Sequence, residues 1–397
     1  FFSLTMKTAL VIALVSVFVL AVAGKAHFSE NFNDDAWTDR WVESTSKGSD
    51  AGNWVHTAAK FAIDENDKGI KTGTDYRFYQ LSSMFDEFSN KDEDLVFQFS
   101  IANEQRLDCG GGYIKLLPAG IDQQNFNGDS PYNIMFGPDI CGSTKRVHVI
   151  LSYKGENHLI NHNIPCETDT FTHVYTLIIH PDQTYEVLID NVEKRSGSLT
   201  EDWDFLAPKQ IKDPNQSKPE DWVDQATIPD PSAVKPEGWD DIPQFIADPD
   251  AEQPSDWDSE LDGDWEAPLM PNPDYEGEWS APMIPNPAYK GQWEHPLIDN
   301  PDYEYDSEIY SFNTAGVGIE IWQVKSGSLF DNILVTNDPA EARAAAESVI
   351  ALRDHEKKAQ AAEDEAARLE REEEMARLEA ELEEEEEEED AHLHDEL

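Results

Sequence analysis

IKDPNQSKPEDW (Ile211–Trp222), IPDPSAVKPEGW (Ile228–Trp239) and IADPDAEQPSDW (Ile246–Trp257) are three copies of one unit. GDWEAPLMPNPDY (Gly263–Tyr275), GEWSAPMIPNPAY (Gly277–Tyr289) and GQWEHPLIDNPDY (Gly291–Tyr303) are three copies of a second. Short tandem repeats build arrays in which each unit leans on its neighbours. If the chain reverses between Trp257 and Trp265, every unit of the first type can face one of the second. Asp262-Gly263 supplies a turn signal at that point. Proline at this density removes ladder donors and forbids long helices and central strands. The stretch therefore predicts a long, thin hairpin arm.

With 397 residues the chain has room for two domains, or for one domain with extensions. A net charge of −53 and a pI near 4.2 argue against nucleic acid as a partner, because phosphate binding needs clustered Lys and Arg. Such an excess of carboxylate favours hard, oxygen-seeking cations, above all Ca²⁺. Lys7 precedes an apolar run from Ala9 to Ala23 that ends in the small-residue site Ala21-Val22-Ala23, the pattern of a secretory signal peptide. Residues 1–23 are assigned to it, with Met6 as the initiator. A membrane span needs roughly 20 apolar residues, more than this run supplies, and no later stretch is apolar enough. The last four residues, His394-Asp395-Glu396-Leu397, form the HDEL address read by the retrieval receptor of the endoplasmic reticulum. Together the two signals predict a protein of the ER lumen with no membrane span; a monomer is expected. That compartment permits disulfides. Cys109 and Cys141 share Gly-flanked contexts (DCGGG and DICGS) and are paired, leaving Cys166 as a thiol.

Residues 24–204 read mostly as strand. Leu95, Phe97, Phe99 and Ile101 alternate with Val96, Gln98 and Ser100, and Val147–Tyr153 and Thr184–Ile189 repeat the period of two. Short strands separated by Asn, Asp and Gly clusters indicate an all-β sandwich or barrel. The arm fills 205–304, and strand character returns over 305–337. Those strands are too few for a core of their own and are assigned to the first sheet system. Residues 338–397 form an acidic helical region. Asp338 caps it, Pro339 takes the first helical position, and Glu341 sits where a capping-box carboxylate belongs. Helix propensity continues to about Glu383 without a heptad seam, so a single helix is expected. The region carries 24 acidic and 7 basic residues, enough to repel itself unless cations screen the Glu383–Asp390 run.

Several stretches resemble the calreticulin family, to which the membrane-held calnexins also belong. They are EQRLDCGGGYIK (Glu104–Lys115), YNIMFGPDICG (Tyr132–Gly142), the two triple repeats, WQVKSG (Trp322–Gly327) and the HDEL end. The resemblance implies a legume-lectin-like (concanavalin-like) β-sandwich with an inserted proline-rich arm and an acidic C-terminal region. It implies a non-enzymatic chaperone that binds monoglucosylated N-glycans on nascent glycoproteins, promotes their folding and buffers calcium. Carried over by motif, the sugar site consists of Tyr113, Lys115, Tyr132, Met135, Asp139, Ile150, Glu320 and Trp322. Tyr and Asp offer hydrogen bonds to hydroxyls, and Tyr and Met offer apolar surface to the pyranose C–H groups. Glu320 departs from the family pattern, which has Asp two residues before the tryptophan. A structural Ca²⁺ site is implied at Asn31, Asn66, Lys68 and Asp331, where backbone oxygens and one carboxylate suit a hard cation. At the arm tip, Glu260, Asp262, Asp264 and Trp265 match the family contact for an ERp-type protein disulfide isomerase. Glu383, Glu384, Glu385, Glu386, Glu387, Glu388, Glu389 and Asp390 are the expected weak Ca²⁺ tail. Trp222, Trp239, Trp279 and Trp293 are read as small apolar units holding the two arm strands together.

Other readings compete. Glu104, Asp108, Asp139 and Glu320 could be imagined as the carboxylate pair of a glycoside hydrolase, although fold analogy is a weak basis for hydrolysis. A plain calcium-storage protein with weakened lectin activity is the second alternative. His173, between apolar strand residues, reads as a satisfied core group and is given no catalytic role. Asn215-Gln216-Ser217 is an N-glycosylation sequon on the arm.

Overall fold

The computed structural model describes residues 25–257, 260 and 263–395, with side chains as far as Leu382. The leader at 1–23 with Met6, Asp262 at the arm tip, and the side chains of Glu383–Asp390 and of the HDEL end lie outside the described residues. The chain divides into two compact units, one running to Ala207 and resuming at Glu304, the other Pro208–Tyr303.

The first unit contains two antiparallel eight-stranded sheets. One runs Val192–Ser198, Thr184–Ile189, Thr172–Ile179, Leu95–Asn103, Ser328–Thr336, Lys68–Thr72, Trp54–Ala58, with Ala26–Glu30 also paired to Ser328–Thr336. The other runs Glu156–Leu159, Thr144–Tyr153, Ile134–Cys141, Cys109–Gly111, Asn313–Gln323, Arg77–Ser89, Val42–Glu43. Ile114–Leu117 joins Asn313–Gln323 to Ile134–Cys141 in this second sheet. Alternate residues of both sheets, among them Phe97, Phe99, Phe136, Val149, Ile319, Ile321 and Phe330, meet in one buried core. The strands after the arm thus complete both sheets, as their small number required.

Leu95–Asn103 is buried on both faces, not on the apolar row alone. The cause is the C-terminal helix, Pro339–Asp395. Its first turns lay Ala342 against Val96, Ile178, Leu188 and Leu334, and Ala346 and Val349 against Val174. The Gln98 amide donates to the Ala342 carbonyl at 2.9 Å. Asp338 accepts from the Ala340 N–H at 2.9 Å, as a cap should. Glu341 does not close a capping box; it accepts from the Thr336 hydroxyl at 2.6 Å. The helix backbone continues past Glu383 to Asp395, consistent with the helix propensity of glutamate.

Polar contacts then tie the helix to the sheet. Buried Glu356 accepts from both the N–H and the hydroxyl of Thr172, at 2.7 and 2.6 Å, and Arg353 pairs with Asp190. His173 lies beneath this pair, with Nδ1 2.7 Å from Asp190 and Nε2 2.8 Å from Asp169. Burial pulls its pKa down, but the two carboxylates outweigh burial and hold it at about 9. It is a satisfied interior group, and a charged one.

The arm unit consists of three two-stranded ribbons in nested order: Gln210–Lys212 with Leu297–Asp299, Thr227–Pro229 with Met283–Pro285, and Phe245–Ala247 with Leu269–Pro271. Each repeat of the first type therefore pairs with one of the second. Trp222, Trp239 and Trp257 donate their indole N–H to the carbonyls of Gly291, Gly277 and Gly263, each at 2.9 Å. Those glycines have φ of 92°, 92° and 82°, a conformation that costs glycine little and other residues more. Asn300, Asn286 and Asn272 bond back to the carbonyls of Pro208, Gln225 and Pro243. Trp222 and Trp239, read as apolar units, thus join the strands by polar bonds, and Trp257 does the same.

Candidate functional site

Period-two alternation sorts the second sheet. Ile114, Leu116, Ile134, Phe136, Val149, Leu151, Ile319 and Ile321 point into the core, so Lys115, Met135, Ile150, Glu320 and Trp322 occupy the opposite face. Register places Gly318, Lys115, Met135 and Ile150 in one row across four strands. Leu117, Phe126 and Tyr132 form an apolar cluster on this face, with Met135 and Ile150 packed against it.

Lys115 is only 1% exposed. Its Nζ lies 2.9 Å from Glu320 Oε2, and 5.0 and 6.0 Å from the ring centres of Tyr132 and Phe126. An ion pair and two ring faces thus satisfy a cation that burial alone would penalise. The loop around Gly128 closes beside Glu320; a Cβ added there would come 3.6 Å from Oε1. Burial, with Glu320 and Asp139 nearby, pushes the Tyr113 phenol well up, and burial with Glu320 does the same for Tyr132. Both hydroxyls are therefore protonated donors near neutral pH. A Cβ at Gly111 would stand 2.5 Å from the Tyr113 ring, so glycine is what lets the tyrosine lie against the strand.

Asp139 lies one strand across from Gly111 and 3.0 Å from His148 Nε2. His148 meets the Tyr113 ring edge to face at 5.7 Å. Cys109 and Cys141 are joined in register next to this pair. Trp322, 37% exposed, pairs across the sheet with Phe78, and Glu320 with Gln80. Of the eight residues expected to form the sugar site, Lys115, Tyr132, Met135, Ile150, Glu320 and Trp322 share this sheet face, while Tyr113 packs partly against the core and meets His148, the partner of Asp139. Sequence reasoning missed His148, Gln80, Phe126 and Gly128. The alternation of Arg146, His148 and Ile150 along one strand could have placed the histidine there. Buried His148 Nδ1 and Gln80 Nε2 have no hydrogen-bond partner among the described residues.

Asp331 lies where one strand changes partners; Asn31 and Lys68 lie at the ends of the two flanking strands, and Asn66 lies in the turn before Lys68. Ser328–Thr336 pairs with Lys68–Thr72 as far as Phe330 and with Ala26–Glu30 from Ile333 onward. Asp331 and Asn332 span the irregularity between, with Asn332 at φ 50°. The Lys68 ammonium is directed to Asp35 at 3.6 Å, not to Asp331. Among the described residues Asp331 accepts from Asn332 alone, at 2.7 and 3.0 Å, and burial with nearby Asp67 and Glu30 pushes its pKa well up. A crowded carboxylate without a basic partner, between strand ends whose carbonyls are not all used in a ladder, fits a hard cation. No group of three or more His, Cys, Asp or Glu side chains placed to hold a metal ion occurs among the described residues, so backbone oxygens would have to supply most ligands.

The calreticulin family model matches residues 28–262 and 241–335. The chain belongs to the calreticulin family. It is 57% identical over 352 residues to calreticulin of Dictyostelium discoideum, covering 87% of this chain and 82% of that protein. It is 60% identical over 334 residues to calreticulin of Mus musculus, covering 83% and 80%. Among solved structures, the T. cruzi calreticulin globular domain superposes with a TM-score of 0.62 at 30% identity, covering 86% of this chain and all of that one.

Glu320, where the resemblance places an Asp, reaches Lys115 Nζ at 2.9 Å. Three of the four carboxylates considered for hydrolysis have their own cationic partners and a fourth pairs with histidine: Glu104 with Lys71 at 3.1 Å, Asp108 with Lys325 at 3.1 Å, Glu320 with Lys115, and Asp139 with His148. At the arm tip Asp264 is exposed and Trp265 is half-buried. No helix among the described residues is long and apolar enough to cross a membrane.

Proposed function

We propose that this calreticulin-family chain is a non-catalytic lectin chaperone of the ER lumen that holds nascent glycoproteins by the terminal glucose of monoglucosylated N-glycans. One observation carries the reading: a sealed Lys115–Glu320 pair, flanked by Tyr132, Met135 and Ile150, on a single sheet face. Sugars present hydroxyls around a weakly apolar ring, and this face offers both kinds of contact. Glu320, fixed through one oxygen by Lys115, accepts from sugar hydroxyls with the other. Tyr113 and Tyr132 donate. Asp139, steadied by His148, accepts at the far side, while Met135, Ile150 and Trp322 cover the C–H faces.

The same reading assigns Ca²⁺ to Asp331 and the backbone oxygens of Asn31, Asn66 and Lys68. There it would bind the strand ends together and neutralise the crowded acids. Weak, numerous sites are assigned to Glu383–Asp390. Glu260, Asp262, Asp264 and Trp265 are assigned to an ERp-type disulfide isomerase, and the HDEL end to its retrieval receptor. A high-mannose glycan array probed with and without Ca²⁺ tests the lectin role. Selective retention of glucosylated glycans, weakened by Ca²⁺ removal, is expected. Equal retention of unglucosylated glycans would overturn glucose recognition and leave the calcium-storage reading in its place.

A further inference from the structure

Asn215-Gln216-Ser217 is the one Asn-x-Ser/Thr triplet in the whole sequence. It lies on the arm, just beyond the first ribbon. The ladder there ends where Lys212 faces Leu297, and the Asp213 N–H makes one more bond, to the Pro296 carbonyl at 2.9 Å. The chain then turns. The Gln216 N–H bonds to the Asp213 carbonyl at 3.1 Å, and the Asn215 N–H to Asp213 Oδ1 at 2.9 Å. The same turn recurs in the second repeat, with Ala233 on the Asp230 carbonyl at 3.1 Å and Ser232 on Asp230 Oδ1 at 2.8 Å. It recurs again in the third, with Ala251 and Asp250 bonded to Asp248 at 3.3 and 3.0 Å.

Aspartate followed by proline makes this turn in all three repeats. The next position holds Asn215, Ser232 or Asp250, and the position two further on holds Ser217, Val234 or Glu252. Such different side chains at equivalent places mean that the fold does not dictate Asn or Ser there. In the first repeat neither the Asn215 amide nor the Ser217 hydroxyl has a bonded partner among the described residues. Asn215, Gln216 and Ser217 are all exposed and belong to no helix or strand. Transfer of an oligosaccharide to asparagine needs such a stretch, because an enzyme must take in the amide together with the hydroxyl two residues on.

We propose, on the lumenal location given above and independently of the sugar-binding face, that Asn215 carries an N-linked oligosaccharide. The donor is an oligosaccharide held through C1 on a lipid pyrophosphate. Its C1–O bond breaks and the lipid pyrophosphate leaves with the electron pair. Asn215 Nδ2 forms the new bond to C1 and gives up one proton to a base of the transferring enzyme. Because Asn215 stands outside the ladder, the sugar disturbs neither the pairing of the first ribbon nor the bond from Trp222 to Gly291. A bulky, hydrated group there keeps the turn in water.

The test expresses the full chain, with its own leader, in a eukaryotic cell and compares its mass before and after treatment with peptide N-glycosidase. The parent should lose one oligosaccharide, which mass spectrometry should locate on the peptide spanning residues 209–222. Asn215→Gln, Ser217→Ala and Gln216→Pro should each remove the shift, the last because proline between the two residues blocks transfer. A control is built in the Asn215→Gln chain: joint Ser232→Asn and Val234→Ser places the triplet at the corresponding turn of the second repeat and should restore one shift. A parent chain without a shift, or a shift that survives Asn215→Gln, overturns the proposal. If the control is modified and the parent is not, the chain reaches the lumen and the proposal alone fails. If neither is modified, the lumenal reading fails with it.

Discussion

A lysine that is 1% exposed meets no ligand broadside; Lys115 acts through the carboxylate it holds. Lys115→Met removes the partner of a mostly buried Glu320, and an uncompensated buried charge costs on the order of 3 kcal/mol. Titration calorimetry should show at least a ten-fold loss of affinity for a glucosylated oligosaccharide, with the melting temperature lowered as well. Glu320→Asp is milder. The Tyr132 and Phe126 rings keep Lys115 from following the shorter side chain, so the 2.9 Å contact opens. About 1 kcal/mol of charge-assisted bonding is lost, roughly five-fold in affinity; unchanged affinity would mean that the lysine moves. Resemblance to the calreticulin family pointed to Tyr113, Tyr132, Asp139 and Glu320, because the family's motifs recur around them in this sequence. They could not show that Lys115 is sealed, since that follows from which rings the fold lays over it. The alternation of Arg146, His148 and Ile150 could place His148 on this face, but its bond to Asp139 comes from the strand beside it.

Two elements have energetics that can be tested separately. Where the helix docks, His173 has a folded pKa of about 9 against 6.5 unfolded. A raised pKa contributes stability that is complete below about pH 6.5 and is lost as pH rises through 9. Asp169 and Asp190 are shifted the other way: burial opposes ionisation, but bonds from His173 more than offset it, so both pKa values fall. Their contribution disappears under acid conditions. Thermal melts should therefore weaken from pH 6.5 to 9, by on the order of 3 kcal/mol for His173 alone. His173→Gln should flatten that slope; a slope that persists would assign it elsewhere. In the arm, Trp239→Phe keeps the ring but removes the 2.9 Å bond to Gly277, at a cost of about 1 kcal/mol. Hydrogen exchange should then rise for amides of the Thr227–Pro229 and Met283–Pro285 ribbon and stay unchanged in the sandwich. The arm was legible in the sequence because its repeats are local and its order fixes the pairing. The docked helix was less so: its charge count dominates the tail, while Ala342, Ala346 and Val349, spaced four and three apart, are the weaker sign that its first turns belong to the core.

At the scale of the whole molecule the sandwich could be read from period-two strands, but its strand order could not, because pairings such as Leu95–Asn103 with Ser328–Thr336 join residues more than two hundred positions apart. The fork at Asp331 was hidden for the same reason: it exists only once the first strand and the last lie side by side. A net charge of −53 means that any cation stabilises this protein by screening. A specific Ca²⁺ effect must therefore be separated from a general one. Sodium chloride and calcium chloride matched in ionic strength should both raise the melting temperature, and calcium should raise it further. Binding at one site to the folded state adds about 2.7 kcal/mol at a hundred times Kd, several degrees for a domain of this size. Asp331→Asn removes the carboxylate while keeping the shape and the backbone oxygens. It should abolish the calcium-specific increment and leave the sodium response intact. In the absence of Ca²⁺ the same variant should be no less stable than the parent, because it relieves the crowding of Asp331 with Asp67 and Glu30. An increment that survives Asp331→Asn would place the stabilising ion somewhere else in the chain.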